Sequence, residues 1–267
     1  MNKLEYEQRF EGLQRLYGAR AYGFLKQLHI AVIGIGGVGS WAVEALARSG
    51  IGEISLVDYD EIAPSNTNRQ LHTLTTTIGE KKITVMAERI LQINPDCKVN
   101  AIDDFMNMEN HVEILSQGYD CVIDAIDSIK FKAAMIYYCR RNKIPIIATG
   151  GAGGLSDPSM IKVADLARTY NDPLAAKVRS RLRESYGFSR NSKRTFGIEC
   201  VFSSQQQVYP KEDGSVSHDK PGVHGVSLDC RFGYGTSSCI TASFGFFAAA
   251  RAIDKVLKKR LRAEEGQ

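Results

Sequence analysis

Four glycines between residues 34 and 39 have the spacing of a loop that holds a phosphate group. Gly34, Gly36 and Gly39 fit the pattern G-x-G-x-x-G, in which the turn is tight and the backbone approaches the ligand closely, and Gly37 lies inside it. A buried strand is predicted before the turn and a helix after it, so the helix offers free N–H groups to an anion. The motif predicts a nucleotide site without specifying the nucleotide.

Charged and amide side chains follow at positions that meet at the same edge of the predicted sheet. Asp58 ends the second strand, where a carboxylate accepts hydrogen bonds from ribose hydroxyls. Asp124 and Asp127, three residues apart, leave the fourth strand at that edge, beyond which open parallel sheets bind ligands. The remaining candidates are Asn66, Arg69, Gln70 and Lys82.

The balance of charge among these candidates favours a triphosphate over a dinucleotide. Lys82 stands near the start of a helix predicted over residues 78–94, where a cation disfavours the helix and is better placed for an anion. Two cations, Arg69 and Lys82, and a carboxylate able to orient Mg²⁺, Asp127, suit attack at an α-phosphorus. An NAD-dependent oxidoreductase and an inactive nucleotide-binding module are the alternatives from a different class.

The elements that position these residues alternate between strands and helices. Strands are predicted at residues 30–33, 54–58, 99–102, 121–127 and 145–149. This alternation predicts an α/β fold: a Rossmann-like, mostly parallel sheet with helices on both faces, extended by a C-terminal mixed α/β half. We expect a helical arm over residues 1–28, a nucleotide-binding core over 29–155 and a C-terminal half over 156–267.

Two segments outside the core are predicted to be helical. The first 28 residues fit one amphipathic helix with Gly18 near its end. The uncharged stretch from Phe232 to Ala250 precedes a basic tail and approaches the length of a membrane span. Its glycines, serines and threonines favour a buried helix on the sheet, and membrane contact through residues 232–262 is the less favoured alternative.

Composition is that of a globular protein. The 267 residues are 43% hydrophobic and 24% charged, with a formal net charge of +4. The six cysteines contain no C-x-x-C pair, which argues against a four-thiolate zinc site, and we expect Cys200, Cys230 and Cys239 to be core thiols. No secretory signal precedes the first charged residues, so a reducing cytoplasm is the expected location.

A basic patch between residues 177 and 194 predicts a surface for a polyanion, with a solvated helix face as the alternative. Only one acid, Glu184, lies among its basic residues. These are Lys177, Arg179, Arg181, Arg183, Arg190, Lys193 and Arg194.

Five ordered segments resemble the adenylating domain of the ubiquitin-activating, ThiF and MoeB superfamily. They are residues 34–40, 56–60, 66–70, 79–82 and 124–127. The resemblance implies that Asp58 holds the adenosine ribose of ATP, that Arg69 and Lys82 bind the β- and γ-phosphates, and that Asp127 holds Mg²⁺ near the α-phosphate. It gives Asn66 a part in holding the phosphates and metal.

The superfamily resemblance also implies a homodimer. In that family an arginine from the partner's N-terminal helix often completes the ATP site. Arg9 is the first choice for this residue and Arg15 the second.

Further segments resemble the tRNA threonylcarbamoyladenosine dehydratase branch of the superfamily. They are residues 9–10, 15–18, 138–145, 150–154, 172–175 and 201–203. The missing C-x-x-C pairs support this branch over the zinc-bearing activators of sulfur carriers. The basic patch suits tRNA phosphates better than a small acidic protein, so its expected tRNA-binding residues are Lys177, Arg179, Arg183, Lys193 and Arg194.

The reaction implied by this branch is ATP-dependent cyclisation of N6-threonylcarbamoyladenosine in tRNA. The threonyl carboxylate attacks the α-phosphate, giving an acyl-adenylate and pyrophosphate, and the ureido oxygen then attacks the activated carbonyl and expels AMP. Adenylation of a ubiquitin-like sulfur carrier is the alternative within the same fold. A sulfur-relay protein is a further possible partner.

Overall fold

The computed structural model describes residues 3–211, 213–219 and 235–265, and a seven-stranded sheet lies at the centre of these residues. Its strands are β1 (His29–Ile33), β2 (Glu53–Val57), β3 (Lys98–Ile102), β4 (Cys121–Asp124), β5 (Ile146–Thr149), β6 (Ile161–Asp165) and β7 (Glu199–Ser203). The spatial order is β3-β2-β1-β4-β5-β7-β6. Only β6 runs antiparallel to its neighbour, so the predicted Rossmann-like, mostly parallel sheet with a mixed C-terminal half is confirmed.

Helices cover both faces of this sheet. They are α1 (Lys3–Tyr17), α2 (Ala19–Leu25), α3 (Gly39–Arg48), α4 (Lys82–Ile93), α5 (His111–Leu115), α6 (Ile129–Arg141), α7 (Pro173–Ser185) and α8 (Ser238–Glu265). Residues of α2, α3, α4 and α8 share one apolar core with the sheet, and residues of α5, α6 and α7 share the other. Both faces of the parallel strands are therefore buried, as continuous apolar runs predict.

The first strand shows how one short sequence supplies both cores. Ile30 and Val32 point into the core that contains α3, whereas Ala31 and Ile33 point into the core that contains α6. Successive strand side chains alternate between the two faces. The register aligns Ile33 with Val57 and Asp124, so the chain leaves these strands at one edge, where the site is built.

The N-terminal arm consists of two helices, and the prediction of a single helix is wrong. The chain breaks at Gly18, whose φ of 82° lies in the region that favours glycine. The arm is tied to the turn between α3 and β2, because the buried Tyr6 hydroxyl donates to the Gly50 carbonyl at 2.7 Å. Separating the helices lets each follow the surface of the core.

The C-terminal helix α8 is buried along much of its length, as predicted. The described helix begins at Ser238, and residues 232–234 of the predicted segment lie outside the described part of the chain. Gly245 lies so close to α3 that an added Cβ would meet the Val38 carbonyl oxygen at 2.6 Å. Among the residues described, none of the helices has the length and apolarity needed to cross a membrane.

Two smaller differences concern element ends. The predicted helix over 78–94 begins only at Lys82, because a turn containing Gly79 precedes it. The polar segment after β7 contains a short hairpin, β8 (Tyr209–Pro210) with β9 (Val216–Ser217). The boundaries predicted after residues 28 and 155 stay predictions, although the sheet continues across the second one.

Candidate active site

A cleft of about 610 Å³ opens at the carboxyl edge of the sheet, lined by the segments that leave β1, β2, β4 and β5. Most of the residues selected from the sequence meet there. Those lining it are Gly34, Gly36, Gly37, Asp58, Asn66, Arg69, Gln70, Lys82 and Asp127. Gly39 and Arg9 do not line the cleft of their own chain.

The glycine turn after β1 contains glycines with two different roles. Gly34 and Gly39 allow close packing of the chain, and Gly36 leaves space in the cleft. A Cβ on Gly39 would lie 1.8 Å from the Gly34 carbonyl oxygen, and one on Gly34 would lie 2.9 Å from Ile126. At Gly36 the nearest atom to an added Cβ is the Gln70 amide nitrogen at 3.9 Å. Gly36 therefore lines open cleft, which suits close approach of a phosphate.

Asp58 anchors the turn to the second strand. Its Oδ2 accepts the Ile35 N–H at 2.6 Å and its Oδ1 accepts the Asp60 N–H at 2.8 Å. Burial raises the pKa of Asp58 against the opposing effect of the Lys82 ammonium and the backbone donors. A carboxylate oxygen has more than one acceptor site, so Asp58 can still accept a hydroxyl group.

Lys82 lines the cleft with its ammonium group already paired. Its side chain is buried, and Nζ lies 2.7 Å from Oδ2 of the half-exposed Asp60. Lys82 lies at the start of α4, as its sequence position predicts, whereas no sequence pattern indicates Asp60 as its partner. The pair holds the cation at the cleft wall, where a phosphate can share its donors.

Arg69 is held by the loop on which it lies. Its Nη1 donates to the Ser65 carbonyl at 2.7 Å, and its own carbonyl accepts from Trp41 Nε1 at 3.0 Å and Thr241 Oγ1 at 3.1 Å. Asn66 closes the loop, because its Oδ1 accepts the Ala63 N–H at 2.9 Å. The loop is therefore fixed to both α3 and α8.

The two acids after β4 have different surroundings, contrary to the prediction that both face a ligand. Asp124 is fully buried and its Oδ1 pairs with Lys132 Nζ at 2.6 Å. Burial raises the pKa of Asp124, and Lys132 opposes that shift. Asp127, beyond the strand, is exposed and lines the cleft. Of these two acids, only Asp127 is open to the cleft.

The donor set at the cleft fits a cation held jointly with a ligand. The part of the chain that the structure describes contains no group of three or more His, Cys, Asp or Glu residues arranged to bind a metal alone. Mg²⁺ is commonly held by one or two carboxylates together with substrate phosphates. Asp127 meets that requirement when a triphosphate is present.

Known proteins are similar to this chain over almost its whole length. The profile of the ThiF family matches residues 10–266. The chain belongs to the ThiF family. A Haemophilus influenzae relative named tRNA threonylcarbamoyladenosine dehydratase is 54% identical, covering 96% of this chain and 95% of its own length. The Escherichia coli protein of that name is 52% identical, with 96% of each chain covered.

A solved structure of a ThiF-family relative is similar over nearly the whole chain. It is the Escherichia coli tRNA N6-threonylcarbamoyladenosine dehydratase in complex with ATP. The TM-score is 0.85 at 50% identity, and 96% of each chain is covered.

The basic patch of this ThiF-family chain is less uniform than the sequence predicts. Arg179 is half-buried and bonds the Thr169 hydroxyl, while Arg183 donates to the Ser189 carbonyl and lies over the Phe196 ring. Both guanidinium groups are thus engaged within the chain. The exposed basic residues are Lys177, Arg181, Arg190, Lys193 and Arg194, and among them Lys177 lines the cleft.

The arginines of the N-terminal arm lie on their own chain. Arg9 Nη1 donates to the Ile93 carbonyl at 3.0 Å, at the end of α4 opposite Lys82, and Arg15 pairs with Glu11. Contribution of Arg9 to a partner's cleft stays a prediction. Of the three cysteines expected in the core, Cys200 is buried, Cys239 is exposed, and Cys230 lies outside the described residues.

Several cleft residues were not selected from the sequence. Asp104 and Phe105 follow β3 at the same sheet edge, so the rule that identified Asp58 also applies to them. Gln207 and Thr241 come from segments far along the chain, and no local pattern indicated that they return to the cleft. A second glycine turn, residues 150–154, follows β5 at this edge, and its Gly150, Gly151, Ala152 and Gly153 line the cleft.

Proposed function

We propose that this chain uses ATP to dehydrate N6-threonylcarbamoyladenosine in tRNA through an acyl-adenylate. The observation that carries the proposal is near full-length identity above 50% to two dehydratases, combined with a cleft that contains the nucleotide-binding candidates. The ATP complex of the similar Escherichia coli enzyme supports ATP as the nucleotide. The reaction is adenylate-forming and therefore of the ligase type.

The nucleotide-binding candidates in the cleft divide between the ribose and the phosphates in this proposal. Asp58 accepts from the ribose, Gly36 and Gly37 allow the phosphates to approach, and Gln70 borders them. Arg69 and Lys82 neutralise the outer phosphates, with Asn66 holding the loop between them. Charge that develops during attack at phosphorus is stabilised by donors fixed before the reaction, and Asp60, Ser65 and Thr241 supply that fixation.

We assign Mg²⁺ to Asp127. When bound, the cation would neutralise phosphate charge and orient the oxygens of the triphosphate. The exposed position of Asp127 at the cleft, and the burial of Asp124 away from it, support this choice.

The two chemical steps replace a poor leaving group with a good one. The threonyl carboxylate attacks the α-phosphorus and pyrophosphate departs, which leaves a mixed anhydride. The ureido group of the same side chain then attacks the activated carbonyl, closes a ring, gives up a proton and expels AMP. The net change in the tRNA is loss of one water molecule. The described cysteines are not needed for either step.

We propose that tRNA approaches over α7. The exposed Lys177 and Arg181 lie beside the mouth of the cleft and border a second, shallower cavity with Ser180 and Glu184. Arg190, Lys193 and Arg194 continue the exposed basic surface. Arg179 and Arg183 do not contact tRNA in this proposal. Their contacts within the chain maintain the fold of the surface.

We propose a homodimer in which Arg9 of the partner subunit completes the cleft. Mixing Arg9→Ala and Asp127→Ala subunits tests this, because a hybrid dimer regains one complete site. Restored activity on mixing supports a role across the interface, and absence of any restoration places Arg9 in a purely structural role. A sulfur-relay partner and a cytoplasmic location stay predictions.

ATP–pyrophosphate exchange with two candidate substrates tests the proposed function. We expect exchange with tRNA bearing N6-threonylcarbamoyladenosine and none with a ubiquitin-like carrier ending in Gly-Gly. The opposite result would favour sulfur-carrier activation. Absence of exchange with both, together with NAD binding, would favour the oxidoreductase.

A further inference from the structure

The cleft has a second half to which the nucleotide roles do not extend. Around the first glycine turn lie the ATP candidates described above. The other half is lined by Gly150, Gly151, Gly153, Gln207, Leu174 and Lys177. The proposed reaction needs a place for the threonylcarbamoyl side chain of the tRNA beside the α-phosphate. This half of the cleft adjoins the nucleotide half within one cavity.

A buried carboxylate fixes one side of the second glycine turn. Asp172 is buried, and its Oδ2 accepts the Gly151 N–H at 3.0 Å while its Oδ1 accepts the Ala175 N–H at 2.8 Å. A Cβ on Gly150 would lie 1.8 Å from Asp172 Oδ2. The carboxylate thus ties the turn to the start of α7 and caps that helix.

Gln207 fixes the other side of the turn and is incompletely satisfied. Its side-chain Nε2 donates to the Gly153 carbonyl at 2.9 Å, and the neighbouring Val208 N–H donates to the Gly154 carbonyl at 2.9 Å. The residue is only 6% exposed, and among the described residues no group donates to its buried Oε1. An unsatisfied buried acceptor is unfavourable, and because Gln207 lines the cleft, its Oε1 is a candidate partner for a donor on a ligand.

The threonylcarbamoyl side chain has the donors that the Gln207 Oε1 could accept. The threonylcarbamoyl group carries two ureido N–H donors, and its carboxylate carries none. One Nε2 hydrogen is used by the Gly153 carbonyl, and Oε1 is left to accept, so at Oε1 the amide suits an N–H donor rather than a carboxylate.

We propose that Gln207 is a positioning and specificity residue that accepts a hydrogen bond from a ureido N–H of the threonylcarbamoyl side chain. The inference rests on the proposed function. In this arrangement the ureido group is held at the second glycine turn, and its carboxylate extends toward the α-phosphate side of the cleft.

The test replaces Gln207 with Met, which has similar length but lacks both the amide oxygen and the Nε2 donor to Gly153. We expect KM for modified tRNA to rise about tenfold, the size expected for losing one hydrogen bond, with KM for ATP unchanged. The matched control is Gln206→Met, because Gln206 is exposed on the same segment and does not line the cleft. This control is expected to behave like the wild type.

A second readout distinguishes contact with the ureido group from a structural effect. Unmodified tRNA, used as a competitive inhibitor, lacks the ureido group, so its inhibition constant should be the same for wild type and Gln207→Met. If Gln207→Met does not fold, Gln207→Asn, which keeps an amide but shortens it, should show the same selective rise in KM.

Three results would overturn the inference or its basis. An unchanged KM for modified tRNA overturns the role of Gln207. Equal losses for modified tRNA, unmodified tRNA and ATP reduce Gln207 to a structural residue. Absence of wild-type activity on modified tRNA overturns the proposed function itself, and the wild-type assay identifies that case separately.

Discussion

Asp124 and Asp127 differ in what surrounds them, and only one of the two is open to the cleft. Asp124 is paired with Lys132 inside the sheet, whereas Asp127 is exposed on the cleft. Their three-residue spacing indicated the right sheet edge but could not show which side chain turns inward. Burial of an acid depends on the basic residue that faces it, and Lys132 lies on the following helix.

We predict that Asp127→Ala abolishes ATP–pyrophosphate exchange while the thermal unfolding midpoint stays at the wild-type value. The reason is that Asp127 contacts the solvent-filled cleft and is not part of the apolar core. Asp213→Asn, at an exposed turn away from the cleft, is the control and should retain exchange. Normal exchange by a folded Asp127→Ala variant would remove the residue from the site.

We predict that Arg69→Ala and Lys82→Ala weaken ATP binding much more than AMP binding, because both cations are assigned to the outer phosphates. Loss of a charge-assisted hydrogen bond costs about 1.5–3 kcal/mol. Lys81→Ala is the matched control, since Lys81 bonds the Tyr59 carbonyl and does not line the cleft. Calorimetric titration with both nucleotides measures the difference, and equal losses would contradict the assignment.

His72 connects the first glycine turn to the pH dependence of stability. It is buried with Nε2 at 2.9 Å from the Ile35 carbonyl, and burial lowers its pKa from 6.5 to about 4. Between these values the unfolded chain binds the proton and the folded chain does not. The free energy of unfolding should therefore fall as pH decreases from 6.5 to 4, by about 3 kcal/mol in total from this residue.

Denaturant unfolding of wild type and His72→Gln across that pH range measures this contribution. The difference in unfolding free energy between the two proteins should change steadily below pH 6.5 and be constant above it. A difference that stays constant throughout would show that His72 does not titrate on unfolding.

At the scale of elements, α7 combines structural and exposed basic residues. Arg179 and Arg183 are held by Thr169, Ser189 and Phe196, so charge reversal there would damage the fold as well as any tRNA contact. Lys177 and Arg181 are exposed and border the cavities, so charge reversal there should leave the fold intact. The sequence predicted the helix and its charge, but only the packing against Thr169 and Phe196 divides the arginines into two groups.

We predict that Lys177→Glu combined with Arg181→Glu raises KM for tRNA and leaves KM for ATP unchanged. Each lost phosphate contact should also reduce the salt dependence of tRNA affinity by about one counterion. The control with the same change of charge is Lys259→Glu with Arg262→Glu, on the exposed side of α8. An unchanged affinity and salt slope for the α7 variant would make its basic residues an ordinary solvated surface.

At the scale of the whole molecule, the site depends on contacts between distant parts of the chain. Local patterns predicted the parallel strands and the residues at their ends, because periodicity and glycine spacing are properties of short segments. They did not predict that α8 brings Thr241 onto the Arg69 loop, or that the segment after β7 returns Gln207 to the second glycine turn. Both contacts depend on tertiary packing.

The order of the strands lets one cleft serve both steps of the proposed reaction. The first glycine turn follows β1 and the second follows β5, and β4 separates these strands. The parallel arrangement brings both turns to one edge of the sheet. The nucleotide and the threonylcarbamoyl side chain can therefore lie in adjoining halves of a single cavity. The exposed end of α7 then connects that cavity to the basic surface.

The most direct test follows the modified nucleoside and the nucleotide together. Purified protein is incubated with ATP, Mg²⁺ and tRNA bearing N6-threonylcarbamoyladenosine, and nucleosides released from the tRNA are analysed by mass spectrometry. The account predicts that the modified nucleoside loses one water molecule, with one AMP and one pyrophosphate formed for each nucleoside converted. A modified nucleoside of unchanged mass, in an assay where the protein binds both ATP and tRNA, would contradict it.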